Sequence, residues 1–329
     1  MVRRQEASRE RVTRRGGELY PTIDGRKSIP MQSNVYQAQQ SMKNDNKNRA
    51  RMLISCPDRP GIVAAVSQFL YEHGANIVQS DQYTMDPEGG MFFIRFEFDL
   101  QELDRELPVL QEDFTRVADR FEMKWHTFRA SRKKRLAIFV SKEDHALLEL
   151  LWQWQAGDLD AEIAMVISNH LDMKNLVESF GIPYHHIPVT ADTKAEAEKQ
   201  QLEAVQGKAD LIVLARYMQI ITPKFIEYFP NRIINIHHSF LPAFVGGKPY
   251  AQAYNRGVKI IGATAHYVTE ELDGGPIIEQ DVQRVSHRDN VNELKRIGRT
   301  IERTVLARAV KWHIEDRIIV HQNKTVVFN

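Results

Sequence analysis

Five short strand-like runs, at 136–141, 163–168, 185–190, 211–214 and 233–237, alternate with helical stretches at about 143–155, 172–180, 192–206 and 222–228. Parallel neighbours need a crossover, and a helix supplies it, so this rhythm predicts an open, mainly parallel α/β sheet. Such sheets take their ligands at the carboxyl ends of the strands. Strands at 260–268 and 277–282, a long charged helix over about 289–317 and a final strand at 318–328 complete this part.

Ahead of it the pattern differs. An apolar strand at 51–56 leads into Asp58-Arg59-Pro60-Gly61, where Pro60 suits the first turn of a helix that stops near Gly74. Strands around 75–84 and 91–100 flank the turn signal Asp86-Pro87-Glu88-Gly89-Gly90. A helix over about 103–121 and a strand at 122–128 follow. The order β-α-β-β-α-β is a complete ferredoxin-like unit. The reading is therefore a first domain over 50–130, a linker at 131–135, and a second domain over 136–329, preceded by a disordered extension at 1–49.

Charge narrows the partners. The whole chain carries a formal +1, but residues 1–51 hold twelve Lys/Arg against five Asp/Glu, which leaves the remainder at about −6. An acidic body does not suit nucleic acid, which recruits basic patches. No apolar run approaches the roughly 18 residues that span a bilayer. Glu6, Glu10, Glu18 and Asp24 argue against an acid-poor transit leader. Cys56 stands alone and excludes an intrachain disulfide, which fits a reducing compartment and a cytoplasmic location.

Chemistry concentrates at Asn235-Ile236-His237-His238-Ser239-Phe240-Leu241-Pro242 and at Leu272-Asp273-Gly274-Gly275. In a strand Asn235 and His237 share one face and His238 points the other way. An amide, an imidazole and the Asp273 carboxylate can together hold a carbonyl oxygen, stabilise its developing charge and handle a proton, as acyl or formyl chemistry requires. Asp-Gly is equally a favoured hairpin turn, and a strand histidine is often structural. Gly262, Thr264 and His266 share a strand face. The histidine pair does not read as a metal site, because no matching ligand set follows at zinc-like spacing.

These residues carry a resemblance. The run 235–242, with Gly262-Ala263-Thr264-Ala265-His266 and Val268-Thr269-Glu270-Glu271-Leu272-Asp273-Gly274-Gly275, resembles the catalytic core of the folate-dependent formyltransferase family. Leu214-Ala215-Arg216-Tyr217-Met218 resembles that family's pterin-holding strand end. Asp58-Arg59-Pro60-Gly61 and Gly74-Ala75-Asn76-Ile77 resemble an ACT domain, a regulatory module that often binds amino acids. An ACT unit ahead of a formyltransferase-like, Rossmann-type sheet is the layout of the formyltetrahydrofolate deformylase branch.

The resemblance implies hydrolysis of 10-formyltetrahydrofolate to formate and tetrahydrofolate, balancing one-carbon pools for purine synthesis, with no metal or other cofactor. Asn235, His237 and Asp273 would be catalytic, the carboxylate orienting His237 and taking a proton from water. Leu214, Arg216, Tyr217, Met218, Thr264, His266 and Gly274 would bind substrate. Asp58, Gly61 and Asn76 would bind an amino-acid effector between paired modules, which implies a dimer or a tetramer. Family members that act on a ribonucleotide carry a Gly- and Ser-rich phosphate loop after the first strand of this domain. Here Ser141-Lys142-Glu143-Asp144-His145-Ala146 has no glycine and two carboxylates, which favours water as acceptor. Transfer to an amine, or a non-catalytic amino-acid sensor, are the alternatives.

Trp152 and Trp154, two apart on a helix, read as packing residues. Arg296, Arg299, Arg303 and Arg308 on the long helix read as a solvated face.

Overall fold

The computed structural model describes residues 46–86, 89–243 and 249–329. Most of the expected extension therefore lies outside the described residues, although Arg49 already opens the first strand. The first part runs β1 (Arg49–Pro57), α1 (Ile62–Glu72), β2 (Asn76–Thr84), β3 (Met91–Asp99), α2 (Leu103–Phe121) and β4 (Lys124–Arg129). Its four strands form an antiparallel sheet in the order β2-β3-β1-β4, the ferredoxin-like arrangement expected. Strand alternation sends Met52, Ile54, Cys56, Ile94, Phe96 and Phe98 to one face. There they pack with Val66, Phe69, Leu107, Leu110 and Phe114 of the two helices.

The other face of this sheet is covered by the C-terminal residues. The last strand expected at 318–328 is instead a hairpin, β12 (Ile318–His321) and β13 (Lys324–Val327), turned where Gln322 takes φ 53°. Ile319, Val326 and Phe328 pack on Leu53 and Phe93. Beside them lies Arg95, only 1% exposed. Its guanidinium donates to the carbonyls of Asp316 at 3.0 Å and Glu315 at 3.3 Å, and to the Glu97 carboxylate at 2.6 Å. A cation at a helix carboxyl end is favourable, because the last carbonyls have no partner within the helix.

The second part runs β5 (Lys134–Val140), α3 (His145–Ala156), β6 (Ala161–Ser168), α4 (Lys174–Ser179), β7 (Tyr184–His186), α5 (Lys194–Val205), β8 (Leu211–Leu214), α6 (Pro223–Glu227) and β9 (Ile233–His237). It continues with α7 (Pro249–Arg256), β10 (Ile260–Tyr267), β11 (Ile277–Arg284) and α8 (Val291–Ile314). Lys134 and Arg135, read as linker, already pair within β5. The seven strands lie in the order β11-β10-β9-β8-β5-β6-β7. β5 to β9 are parallel, β10 runs against them, and β11, antiparallel to β10, returns to their direction. The chain leaves β5 toward β6 and β7, then crosses to β8 and β9 on the other side. That reversal opens a crevice at the carboxyl ends of β5 and β8.

α7 went unread in the sequence, although Pro249 at its start and Gly257 after its end carry the usual signals. α8 begins with a reciprocal cap: the Asn290 side chain accepts from the Glu293 N–H at 3.2 Å, and the Glu293 carboxylate accepts from the Asn290 N–H at 2.7 Å. Leu294, Ile301, Val305, Ala309 and Val310 bury its inner face against the sheet. Trp154 packs on the same core, while Trp152 is half exposed.

Replacing Arg95 with Met would leave two carbonyls without their buried donor and the Glu97 carboxylate with only Arg51 at 3.5 Å and Arg49 at 3.8 Å. Loss of one partner from such a set costs about 3–5 kcal/mol. The Arg95→Met chain should show that loss as a lower denaturant midpoint for the cooperative unfolding transition.

Candidate active site

β9 presents Asn235 and His237 on one face, and β10 lies beside it with His266 opposite Asn235 and Thr264 opposite His237. The loop from β10 to β11 folds back through a bond from the Tyr267 N–H to the Pro276 carbonyl at 2.9 Å. Gly275 packs so close to the Tyr267 carbonyl that any Cβ would collide with it. Asp273 sits in this loop at φ 56°, a left-handed conformation costing a non-glycine residue about 1 kcal/mol. The return is contact: Asp273 Oδ2 lies 3.2 Å from His237 Nδ1, and Oδ1 lies 3.7 Å from His266 Nε2.

The donors can be assigned from their partners. His266 Nδ1 lies 2.9 Å from the Tyr267 carbonyl, which can only accept, so Nδ1 carries the proton. Its Nε2 then accepts from the Asn235 amide at 3.2 Å. One N–H of Asn235 is spent there and the second is free. His237 Nδ1–H donates to Asp273, and His237 Nε2, buried, has no hydrogen-bond partner. The hydrogen bond from His237 holds the Asp273 carboxyl well below the usual carboxylate range. It is ionised at any physiological pH.

Asn235, His237, His266 and Asp273 line a cleft of about 270 Å³. Leu214, Arg216, Tyr217 and Met218 line its other wall. Thr264 does not reach it. Its hydroxyl is buried beneath, donating to the Ser239 carbonyl at 2.9 Å and accepting from the Leu241 N–H at 3.0 Å and the Gln280 amide at 2.9 Å. Gly274 also stands behind the cleft, its carbonyl held by the Asn323 amide at 2.8 Å. Asp58 accepts from the Thr84 hydroxyl at 2.6 Å, and Gly61 and Asn76 are exposed at the start of α1 and β2.

His238, which also lines the cleft, has its ring 5.8 Å from that of Tyr250. Burial, with the Arg216 charge, pushes its imidazole down to about 4, so it is neutral. Among the described residues no group of three or more His, Cys, Asp or Glu is gathered to hold a metal ion, and no helix is long and apolar enough to cross a membrane.

Glu302 was missed. On a long charged helix it looked like one more solvated acid, yet it is 1% exposed beneath the cleft. It accepts from His145 Nε2 at 2.8 Å and the Tyr250 hydroxyl at 2.6 Å, with Arg216 Nε at 3.4 Å. Burial alone would raise its carboxyl, but the His145 hydrogen bond and the Arg216 charge outweigh it and hold it below its usual range. The sequence did contain a signal. Gly298, one turn earlier, is where the Tyr250 ring packs against the helix, and no side chain would fit there.

Two family descriptions match, formyl transferase over residues 134–310 and ACT domain over 50–114. Formyltetrahydrofolate deformylase of Bacillus subtilis is 61% identical over 300 residues, covering 91% of this chain and all of that protein. The crystal structure of a formyltetrahydrofolate deformylase from Pseudomonas syringae pv. tomato matches with a TM-score of 0.83 at 47% identity. It covers 90% of this chain and all of that one. The chain belongs to the formyltetrahydrofolate deformylase family. A second deformylase structure, from Burkholderia mallei, matches with a TM-score of 0.80 at 43% identity, covering 86% of this chain and all of that one.

In Glu302→Gln the shape survives and the charge does not. The new amide N–H₂ would face donors, and Arg216 would lose its counter-ion. Hydrogen bonds to a charged group contribute about 1.5–3 kcal/mol, so the variant should unfold at a measurably lower temperature by calorimetry. Trp152→Ala, at a half-exposed site, should barely move that temperature.

Proposed function

We propose that this chain hydrolyses 10-formyltetrahydrofolate to formate and tetrahydrofolate, and that Asn235, His237 and Asp273 carry the reaction. One observation carries the reading: His237 is held at Nδ1 by an ionised carboxylate while its buried Nε2 is unpartnered, beside a free amide N–H of Asn235. A small electrophile seated there meets a base and an oxyanion donor at once.

The steps follow from those atoms. A water gives a proton to His237 Nε2 as its oxygen bonds to the formyl carbon. The carbonyl electron pair moves onto oxygen, where the free Asn235 N–H receives it. Asp273, 3.2 Å from Nδ1, stabilises the imidazolium so formed. Collapse of the adduct breaks the bond from carbon to the folate nitrogen, and Nε2 returns its proton to that nitrogen. Formic acid leaves and ionises in solvent. This moves the base from Asp273, the expectation from sequence, to His237. A carboxyl held so low is a poor proton acceptor, because general bases work best when matched to the operating pH. Asp273 orients and charges; His237 transfers.

Water as acceptor is favoured by the corner after β5. Glu143 and Asp144 stand there with carboxylates 2.9 and 3.0 Å from Arg299, which makes a poor seat for a phosphorylated amine. Backbone groups of Leu214, Arg216 and Met218 hold the pterin. The loop they form is tied by Ser141, whose hydroxyl accepts from the Met218 N–H at 3.0 Å. The ferredoxin-like unit over 50–130, an ACT domain, senses an amino acid at Asp58, Gly61 and Asn76 in a homodimer or tetramer. The enzyme acts in the cytoplasm, needs no metal and balances one-carbon units for purine synthesis.

Purified protein should release formate from 10-formyltetrahydrofolate with no amine added, and a rate that requires an amine would mean a transferase. Asn235→Ala should lower kcat by about 10²–10³-fold, the usual loss for one oxyanion donor. A fall of less than about threefold would remove Asn235 from that role.

A further inference from the structure

A second and larger cleft, of about 730 Å³, lies at the opposite end of the seven-stranded sheet from the catalytic one. Its floor is made by the amino ends of parallel strands. Lys134 opens β5, Asp210 precedes β8 and Arg232 precedes β9. Leu53 of β1, Leu107 of α2 and Phe128 of β4 form one wall, and Ile319 of β12 forms another. The volume falls in the range of about 300–1,000 Å³ usual for small-molecule sites.

Its charges are out of balance. Five Lys/Arg residues line it against two Asp. Both carboxylates are already committed. Asp316 takes Lys134 and, at 3.4 Å, Arg51. Asp210 takes two N–H groups of Arg135, at 3.0 and 3.1 Å, with Arg132 at 3.5 Å. On the cationic side, Lys124 makes no ion pair among the described residues. The Arg232 guanidinium donates to the Tyr228 carbonyl at 2.7 Å and stacks over Phe229, neither of which neutralises it. An ammonium group would therefore find no free carboxylate here, whereas an anion would find unspent cations beside aliphatic and aromatic walls.

We propose that this cleft is a second binding site, taking a small amphipathic anion: one carboxylate or sulfonate on a largely apolar frame. The site is distinct from the folate cleft and independent of the reaction assigned to it. One residue connects the two. The Tyr267 hydroxyl meets His313 Nδ1 at 2.7 Å on the wall of the larger cleft. Its carbonyl holds His266, the partner of Asn235, at 2.9 Å. An occupant pressing on Tyr267 acts on the strand that positions the catalytic amide.

The probe is 8-anilinonaphthalene-1-sulfonate, an amphipathic anion that fluoresces on leaving water, titrated against the full-length chain. N-phenyl-1-naphthylamine, the same frame without the sulfonate, is the control. The expected result is one saturable site for the sulfonate that tetrahydrofolate does not displace. The neutral control should bind at least about tenfold more weakly, the factor that corresponds to 1.4 kcal/mol. The double variant Lys124→Glu with Arg232→Glu should lose affinity for the sulfonate by a similar factor, while releasing formate at the unaltered rate. Equal affinity for both probes, displacement by tetrahydrofolate or undiminished binding by the variant would each overturn the proposal. So would affinity that vanishes as the chain self-associates, since a second copy would then be the occupant.

Discussion

The candidate active site depends on one contact, Asp273 on His237, made between groups thirty-six residues apart in the chain. It is assembled by backbone rather than by side-chain packing. Gly275 lets the loop press against the Tyr267 carbonyl, and that fold forces Asp273 into a left-handed conformation with its carboxylate turned inward. With the carboxylate in place, the proton of His237 is fixed on Nδ1 and Nε2 is free for chemistry. Without it, the imidazole could carry its proton on either nitrogen and would have no counter-charge when protonated.

The support beneath this contact is polar and buried, where a low local dielectric makes each charge pairing count. Glu302 is its centre, drawing His145 from α3, Tyr250 from α7 and Arg216 from the end of β8 onto one carboxylate. Three separate segments are thereby held around the cleft by one helix. The same helix runs down to Glu315 and Asp316, whose carbonyls meet Arg95 of the ferredoxin-like sheet. A displacement of that sheet thus has a continuous, hydrogen-bonded path to α8. The geometry provides a physical route for regulation by the N-terminal unit.

Much of this was legible in sequence because local rules decide it. The strand and helix rhythm predicted both sheets, since each run alternates or repeats with the period of its element. Asn235 and His237 were placed on one face by the period of a strand alone. Asp273 was a different matter: spacing offered it, but its convergence on His237 depends on a loop conformation no pattern encodes. Thr264 shares the strand face of His266, yet the chain from Ser239 to Leu241 covers it, a tertiary fact invisible to alternation. Glu302 was hidden for the opposite reason. Its neighbours along the helix are charged, and only the approach of Tyr250 at Gly298 shows that this face is buried. The terminal hairpin was read as one strand because its turn, at Gln322 and Asn323, lacks the glycine that usually announces it.

The most direct test of water as nucleophile and of Asp273 as the group that enables it is hydrolysis in ¹⁸O-labelled water, with formate examined by mass spectrometry. The unaltered chain should place one ¹⁸O atom in each formate at a rate indifferent to added amines, and Asp273→Asn should form labelled formate no faster than buffer alone. Unlabelled formate, or labelled formate produced by Asp273→Asn at the unaltered rate, would contradict the assignment.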